Sequence, residues 1–366
     1  MQAYLLQELE AVAGDPAESS KKLIIIATQS PSMLRILCPN DLNKLVFFIN
    51  ENTPPFQIES EAPELKETSV KAFLPRIGES HKLVFFCPKA ILIEGPSDEI
   101  VCNGLASKFT LSLGAAGAQT VPLGGKGEIP TILKLFQKIQ RKCTVLADLD
   151  NLTDNGKFLK CYYGHQDLDK AVEKTNQSFQ DFAQQLRSDF KQRINGHWTD
   201  ISSTAEQHRY WTERDTDKEE TVAKQRAGLA VLLSRNESDI QKWHDGKEWL
   251  KLRKRWTILL EILKTVGCFV LRRGRIEDYY RPTSGNQRRQ KPYAAAEEAA
   301  QFNSDTYGYL EKTYPEVLRM LRHAASTTKI DEAATLITSV GAAAGALFIN
   351  INPEMIMEQP PIIPGR

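Results

Sequence analysis

Apolar residues fall in short unbroken runs over the first 160 positions and at helical spacing over the next hundred. The segments 90–94, 119–123 and 143–148 are short apolar runs, rich in Ile, Leu, Val and Ala, between turn residues. Such runs predict strands buried on both faces, as in a parallel sheet covered by helices. After the first strand, Ile100, Val101, Leu105, Ala106 and Phe109 recur at helical spacing, with Ser97 placed to cap the helix. A second helix is expected from near Pro130, with Ile132, Leu133, Phe136 and Ile139 inward and Lys134, Lys138 and Arg141 outward. Right-handed crossovers then make the three strands parallel, so their C-terminal ends share one edge.

The pattern divides the chain into five stretches. Residues 1–88 read as a helix, a buried strand over 22–28, a turn, a short helix and a strand over 44–50, hence an α/β segment. Residues 89–160 are the first part of the parallel unit. Residues 161–265 are rich in charge, Gln and Trp and lack strand-like runs. Phe179, Phe182, Leu186 and Phe190 mark one helix there, and Ile240, Trp243, Leu250, Trp256, Leu259, Leu260 and Leu263 a longer one, so this stretch reads as a helical insertion. Strand, turn and helix return over 266–325. Residues 326–366 hold an apolar helix over 334–349 and a Pro-rich tail. That helix is shorter than the about 20 apolar residues a span requires. It reads as buried, with Gly341 and Gly345 permitting a close contact such as a dimer interface.

Composition narrows the partners. The chain has 366 residues and a formal net charge of +1, so a polyanionic ligand has to be met by a local basic patch. The six cysteines contain no Cys-x-x-Cys pair, which predicts reduced thiols in a cytoplasmic protein and no structural zinc. No secretory signal opens the sequence. The six histidines show no ligand spacing.

The candidate chemistry is acidic. Glu94 ends the first buried run, and Asp148 and Asp150 end the third. Ligands of open α/β sheets sit at the edge where these ends meet, and three carboxylates gathered there suit a hard divalent cation. A lone carboxylate after a strand is usually a helix cap or a solvated turn, and that reading applies to Asp98 or Asp278 taken singly.

The phrases Ile-Glu-Gly-Pro-Ser-Asp-Glu (93–99), Gly-Gly-Lys-Gly (124–127) and Leu-Ala-Asp-Leu-Asp (146–150), in that order, resemble the Toprim domain of the OLD (overcoming lysogenisation defect) nucleases. Leu-Arg-Arg-Gly-Arg-Ile-Glu-Asp-Tyr-Tyr (271–280) resembles a later segment of that family that supplies another acidic metal ligand. Upstream, the run 22–28 followed by Gln29-Ser30-Pro31 resembles the end of an ABC-type ATPase domain, with Gln29 where that family usually has His. No phosphate loop of the form Gly-x-x-x-x-Gly-Lys-Ser/Thr occurs, so this polypeptide is not a complete P-loop ATPase.

The resemblance implies a metal-dependent endonuclease using Mg²⁺ or Mn²⁺, two ions in all, to cut or nick DNA, in defence against phage. Cleavage of structured RNA such as tRNA by the same chemistry, or a non-catalytic subunit of an ATPase assembly, are the alternatives. Glu94, Asp148 and Asp150 would hold the first ion, and Asp98 and Glu277 reach the second, with Asp278 as a substitute for Glu277. Lys291 is the candidate cation beside the scissile phosphate, and Lys126 the second candidate. Lys126, Arg272, Arg273, Arg275, Arg288 and Arg289 form the expected basic surface for a phosphate backbone. The basic run 251–256 lies on an amphipathic helix and needs only water. An ABC-type ATPase module in cis or trans and a homodimer or higher oligomer complete the expected partners, with no membrane.

Overall fold

The computed structural model describes residues 2–13, 24–49, 52–154, 156–172, 177–214, 219–281 and 291–326. At its centre is a four-stranded parallel sheet. Its strands are β3 (Lys89–Ile93), β4 (Ala118–Pro122), β5 (Lys142–Ala147) and β6 (Cys268–Val270), in the order β4-β3-β5-β6. A two-residue antiparallel pair, β1 (Val46–Phe47) and β2 (Phe56–Gln57), lies upstream.

The unbroken apolar runs are explained by cover on both faces. Ala90, Leu92, Val145 and Ala147 point into one core, and Ile91, Ile93, Leu146 and Phe269 into the other. This is the two-residue alternation of a strand with neither face left to water. The first core takes the helix Ile129–Lys138, residues 34–86 and the insertion. Phe136 links these parts, with its ring 6.4 Å from Phe73 and 6.0 Å from Phe85. The second core takes the helices Pro96–Lys108, Lys291–Gln301 and Pro315–Ala325.

Between β5 and β6 the chain is helical and turn-like throughout its described residues. The helices Phe179–Gly196, Glu220–Ser234 and Gly246–Thr265 pack together, with the Phe190 and Trp256 rings edge to face at 5.6 Å. The basic run on the last of these is paired along its surface: Lys251 with Glu248, Arg253 with Glu237 and Arg255 with Asp189.

Several expectations are corrected. Residues 24–30 form no strand, and Ile25 is 83% exposed. A strand exists only through hydrogen bonds to a neighbour, and no neighbouring strand meets this run among the described residues. The strand expected over 44–50 shortens to Val46–Phe47. The helix after β3 is capped at Gly95, whose N–H donates to the Asp98 carboxylate at 2.9 Å, and not by Ser97. Arg141, expected outside, is buried. Its guanidinium donates to the Phe85 carbonyl at 2.5 Å and lies 5.9 Å from the centre of the Phe47 ring. The apolar segment 334–349 and the tail 359–366 lie outside the described residues. No helix among the described residues is long and apolar enough to cross a membrane.

Candidate metal centre

The C-terminal ends of β3, β5 and β6 converge on one edge, and each delivers acids. Glu94 follows β3 directly, Asp148 follows β5, and Asp150 opens the short helix Asp150–Thr153. Asp98 sits in the first turn of the helix after β3. Glu277 and Asp278 lie on a 3-10 turn, Ile276–Tyr279, after β6. One carboxylate oxygen each from Glu94, Asp148 and Asp150 lies within 4.8 Å of the others.

Backbone contacts fix this edge. Glu94 Oε1 accepts from the Asp148 N–H at 3.1 Å and from Asn151 Nδ2 at 2.5 Å, which ties the β3 acid to the β5 turn. The Glu94 carbonyl accepts from Gly124 N–H at 2.9 Å, so the Gly-Gly turn closes the edge beside it. The Leu149 N–H donates to the Gly274 carbonyl at 2.9 Å and joins the β5 and β6 loops.

The electrostatics show how close the acids are. Burial first, then the charges of Asp150 and Asp98, push the Glu94 carboxyl up to about 7. Burial also raises Asp98 to about 7, with Glu277 adding to it. Asp148 is held well above the usual carboxylate range by burial and then by Glu94, Asp98, Asp150 and Glu277. Five carboxylates therefore share one field, and like charges so placed resist joint ionisation unless a cation joins them. Their all-oxygen donor set fits a hard divalent ion such as Mg²⁺ or Mn²⁺ and lacks the His and Cys that zinc prefers.

The structure separates Glu277 from Asp278. The Glu277 charge acts on Asp98 and Asp148, and Lys291 Nζ lies 3.3 Å from Glu277 Oε1. Asp278 instead caps its own turn, accepting from the Arg275 N–H at 2.7 Å, with His208 and Arg209 each 3.9 Å away. The 3-10 turn is anchored from behind. Tyr279 donates its hydroxyl proton to Glu316 at 3.1 Å, and that hydroxyl accepts from the Arg273 N–H at 3.2 Å.

The expected basic surface is only partly assembled. Arg272 is committed to an internal network, 2.6 Å from Glu261 and 3.6 Å from Glu316, with Lys264 2.7 Å from the same Glu261. A basic residue in such company stabilises the fold and is not offered to a ligand. Arg273 lies over the Tyr279 ring at 5.0 Å, and Arg275 pairs with Glu213 at 2.9 Å. Lys126 opens the 3-10 turn Lys126–Glu128, beside Gly125. Arg288 and Arg289 lie outside the described residues.

The insertion supplies residues that no sequence motif marks. Arg226, on the helix Glu220–Ser234, grips Asp154 in a two-pronged pair at 2.9 and 2.7 Å and lies 3.9 Å from Asp150. Arg187, on the helix Phe179–Gly196, donates to the carbonyls of Thr153 and Asp154 at 3.2 and 2.7 Å. Two insertion helices thus clamp the turn that carries Asp150. Tyr210 and His208 approach from the same side, with their rings 5.1 Å apart.

Gly274 sits where these groups meet, with φ at +133°. A Cβ there would run into Asp278 Oδ2 and approach His208 Cε1 at 3.0 Å and Tyr210 Cε2 at 3.2 Å. Gly274→Ala is therefore expected to cost about 1–3 kcal/mol in a denaturant melt, from the strained backbone alone. A melt equal to wild type would show that the loop has room to move.

Parallel strands covered on both faces, with acids gathered at their C-terminal edge, define an α/β domain with a candidate metal-binding edge. Residues 85–150 match the family model described as the overcoming lysogenization defect protein-like TOPRIM domain. That stretch, similar to an OLD-like Toprim domain, includes Glu94, Asp98, Asp148 and Asp150. Neither the curated proteins nor the solved structures contain a match.

Proposed function

We propose that the chain is the Toprim half of an OLD-type endonuclease that hydrolyses phosphodiesters of DNA with two bound divalent ions. The observation carrying this reading is the shared field of Glu94, Asp98, Asp148, Asp150 and Glu277 at one sheet edge. A cluster of acids so buried costs the metal-free fold stability, and binding of cations offsets that cost. When bound, two such ions would supply an activated water and neutralise charge on the phosphate and the leaving oxygen.

The residues divide the work. Glu94, Asp148 and Asp150 hold the first site, and Asp98 and Glu277 the second. Lys291, beside Glu277 and with its side chain 61% exposed, meets a phosphate oxygen as charge develops there. Arg209, 3.9 Å from Asp278, extends this positive rim toward the flanking backbone.

The ATPase association is part of the same proposal. Its support is the phrase Gln29-Ser30-Pro31 and the apolar run before it, whose Ile25 and Ile26 face solvent without a strand partner among the described residues. A cytoplasmic defence role and a dimeric assembly follow from the OLD resemblance.

Supercoiled plasmid and folded tRNA, incubated in parallel with Mg²⁺ or Mn²⁺, test the reading. Nicked or linear plasmid with intact tRNA is expected. Cleavage of the tRNA alone would move the substrate to RNA, and a folded protein that cuts neither would favour a non-catalytic subunit.

A further inference from the structure

We propose that His197, Asp200, His244 and Asp245 of the helical insertion form a second metal site, which takes a zinc-type transition ion and staples two insertion helices together. The site shares no residue with the carboxylate edge and does not depend on the nuclease reading.

The four ligands come from two turns. His197 follows the helix Phe179–Gly196, and Asp200 ends the 3-10 turn Trp198–Asp200. His244 and Asp245 stand just before the helix Gly246–Thr265. One ligand atom each from His197, His244 and Asp245 lies within 4.8 Å of the others. Asp200 joins them, with Oδ2 3.6 Å from His197 Nδ1 and Oδ1 3.8 Å from His244 Nδ1, and Asp245 Oδ2 lies 3.9 Å from that second nitrogen. Because the ligands are split between two distant turns, the histidines carry no motif along the sequence.

These separations suit an ion between the groups. Each is longer than a hydrogen bond, so rings and carboxylates face one another without bonding. Around an ion with bonds of about 2.0–2.1 Å, tetrahedral ligand atoms stand about 3.3 Å apart, so these edges need to close by roughly half an ångström at most. Two neutral imidazoles and two carboxylates balance a divalent charge, and the nitrogen ligands favour zinc over Mg²⁺. A plain ion pair is the simpler reading of the acids, since Arg193 Nη2 is 3.3 Å from Asp245 and 3.9 Å from Asp200. That nitrogen makes no hydrogen bond among the described residues, however, and an arginine does not account for two imidazoles turned on the same acids.

The cradle is held from behind. Asp200 Oδ2 accepts from Nε1 of the fully buried Trp249 at 3.0 Å, the kind of outer contact that orients a ligating carboxylate. The Asp200 N–H donates to the His197 carbonyl at 3.2 Å, which sets the spacing of that turn. On the other turn Asp245 has φ at +56°, and a Cβ on Gly246 would meet the carbonyl oxygens of Ile240 and Gln241 at 2.5 and 2.7 Å. A non-glycine residue held in the left-handed region by so tight a turn is strain of the kind that functional sites retain. A bound ion would close the helix that carries Arg187, one of the two clamps on the Asp150 turn, onto the helix that leads into β6.

Co²⁺ titrated into the tag-free, metal-stripped chain reads the site separately from the carboxylate edge. Tetrahedral Co²⁺ with nitrogen ligands absorbs strongly in the visible, whereas octahedral Co²⁺ among oxygens absorbs weakly. One strongly absorbing Co²⁺ per chain, displaced by Zn²⁺ and retained in Asp148→Asn, is expected. His244→Asn, at a side chain 74% exposed and so compatible with folding, should lose the strong band. In the Asp148→Asn background it should also weaken Zn²⁺ binding at least tenfold and abolish the rise in melting temperature that Zn²⁺ gives. His197→Asn should do the same. A folded wild-type chain that shows only the weak octahedral spectrum, or a His244→Asn variant that keeps the strong band and its Zn²⁺ affinity, would overturn the proposal. Either result leaves the nuclease reading untouched.

Discussion

Glu94→Gln is expected to lower divalent-dependent cleavage about 10³-fold, or about 4 kcal/mol of transition-state stabilisation, while raising the melting temperature of the metal-free protein. The two effects share one cause. The carboxylate is buried among like charges, so its ionised form is unfavourable until a cation arrives. Gln keeps the oxygen that accepts from the Asp148 N–H and from Asn151, so the β5 turn stays in place. What is lost is the negative ligand. Asp148→Asn is expected to behave in the same way, since Asp148 feels the same neighbours. A plasmid-nicking time course beside a thermal melt in EDTA reads both effects. Full activity in either variant would remove that residue from the metal site, and a lower melting temperature would show that it is held by favourable contacts.

The second large effect is a dependence of metal-free stability on pH. Glu94 and Asp98 move from ordinary values of 4.5 and 3.8 to about 7 in the fold. A carboxyl raised by folding binds its proton more tightly in the native state than in the unfolded chain. Its contribution is therefore complete at low pH and is lost as pH climbs from about 4 through 7. A shift of this size corresponds to about 3 kcal/mol for one group. In EDTA the protein should be more stable near pH 5.5 than near pH 8, measured by urea unfolding. Saturating Mn²⁺ should reverse the order, because cations bind the deprotonated acids and so bind more tightly as pH rises. A metal-free stability that is flat or rising over this interval would contradict the crowded cluster.

Much of this centre is legible in the sequence because an acid that ends a buried strand has few reasons to be there. Glu94, Asp148 and Asp150 follow apolar runs, and strand register alone brings them to one edge. The same logic misreads 22–28, where the run is equally apolar but pairing depends on a neighbour that the run itself does not encode. Arginines are the other blind spot. Arg141 looks like a solvated charge in sequence and Arg272 like part of a phosphate-binding surface, yet one meets a buried carbonyl and the other a buried carboxylate. Those partners lie far along the chain or across a turn. Asp98 reads in sequence as a helix cap or as a ligand; in the structure it accepts from the Gly95 N–H and lies within the field of Glu277.

The insertion was least legible of all. Arg226 and Tyr210 sit in ordinary helical phrases, Lys-Gln-Arg-Ala-Gly and Arg-Tyr-Trp, and nothing local marks them. Arg226 comes within 3.9 Å of Asp150 only because the helices between β5 and β6 fold back over the edge. The helix Glu220–Ser234 is buried on most of its surface, so it lacks the one-sided apolar stripe that would have shown which way Arg226 points.

The central claim is that the acids at the end of the parallel sheet hold divalent cations. Calorimetric titration of Mn²⁺ into the metal-free protein at pH 7.5 tests it most directly. Saturable binding with release of protons, lost in Asp148→Asn, is the predicted result; a folded wild-type protein that takes up no Mn²⁺, or an Asp148→Asn variant that binds it unchanged, would contradict the account.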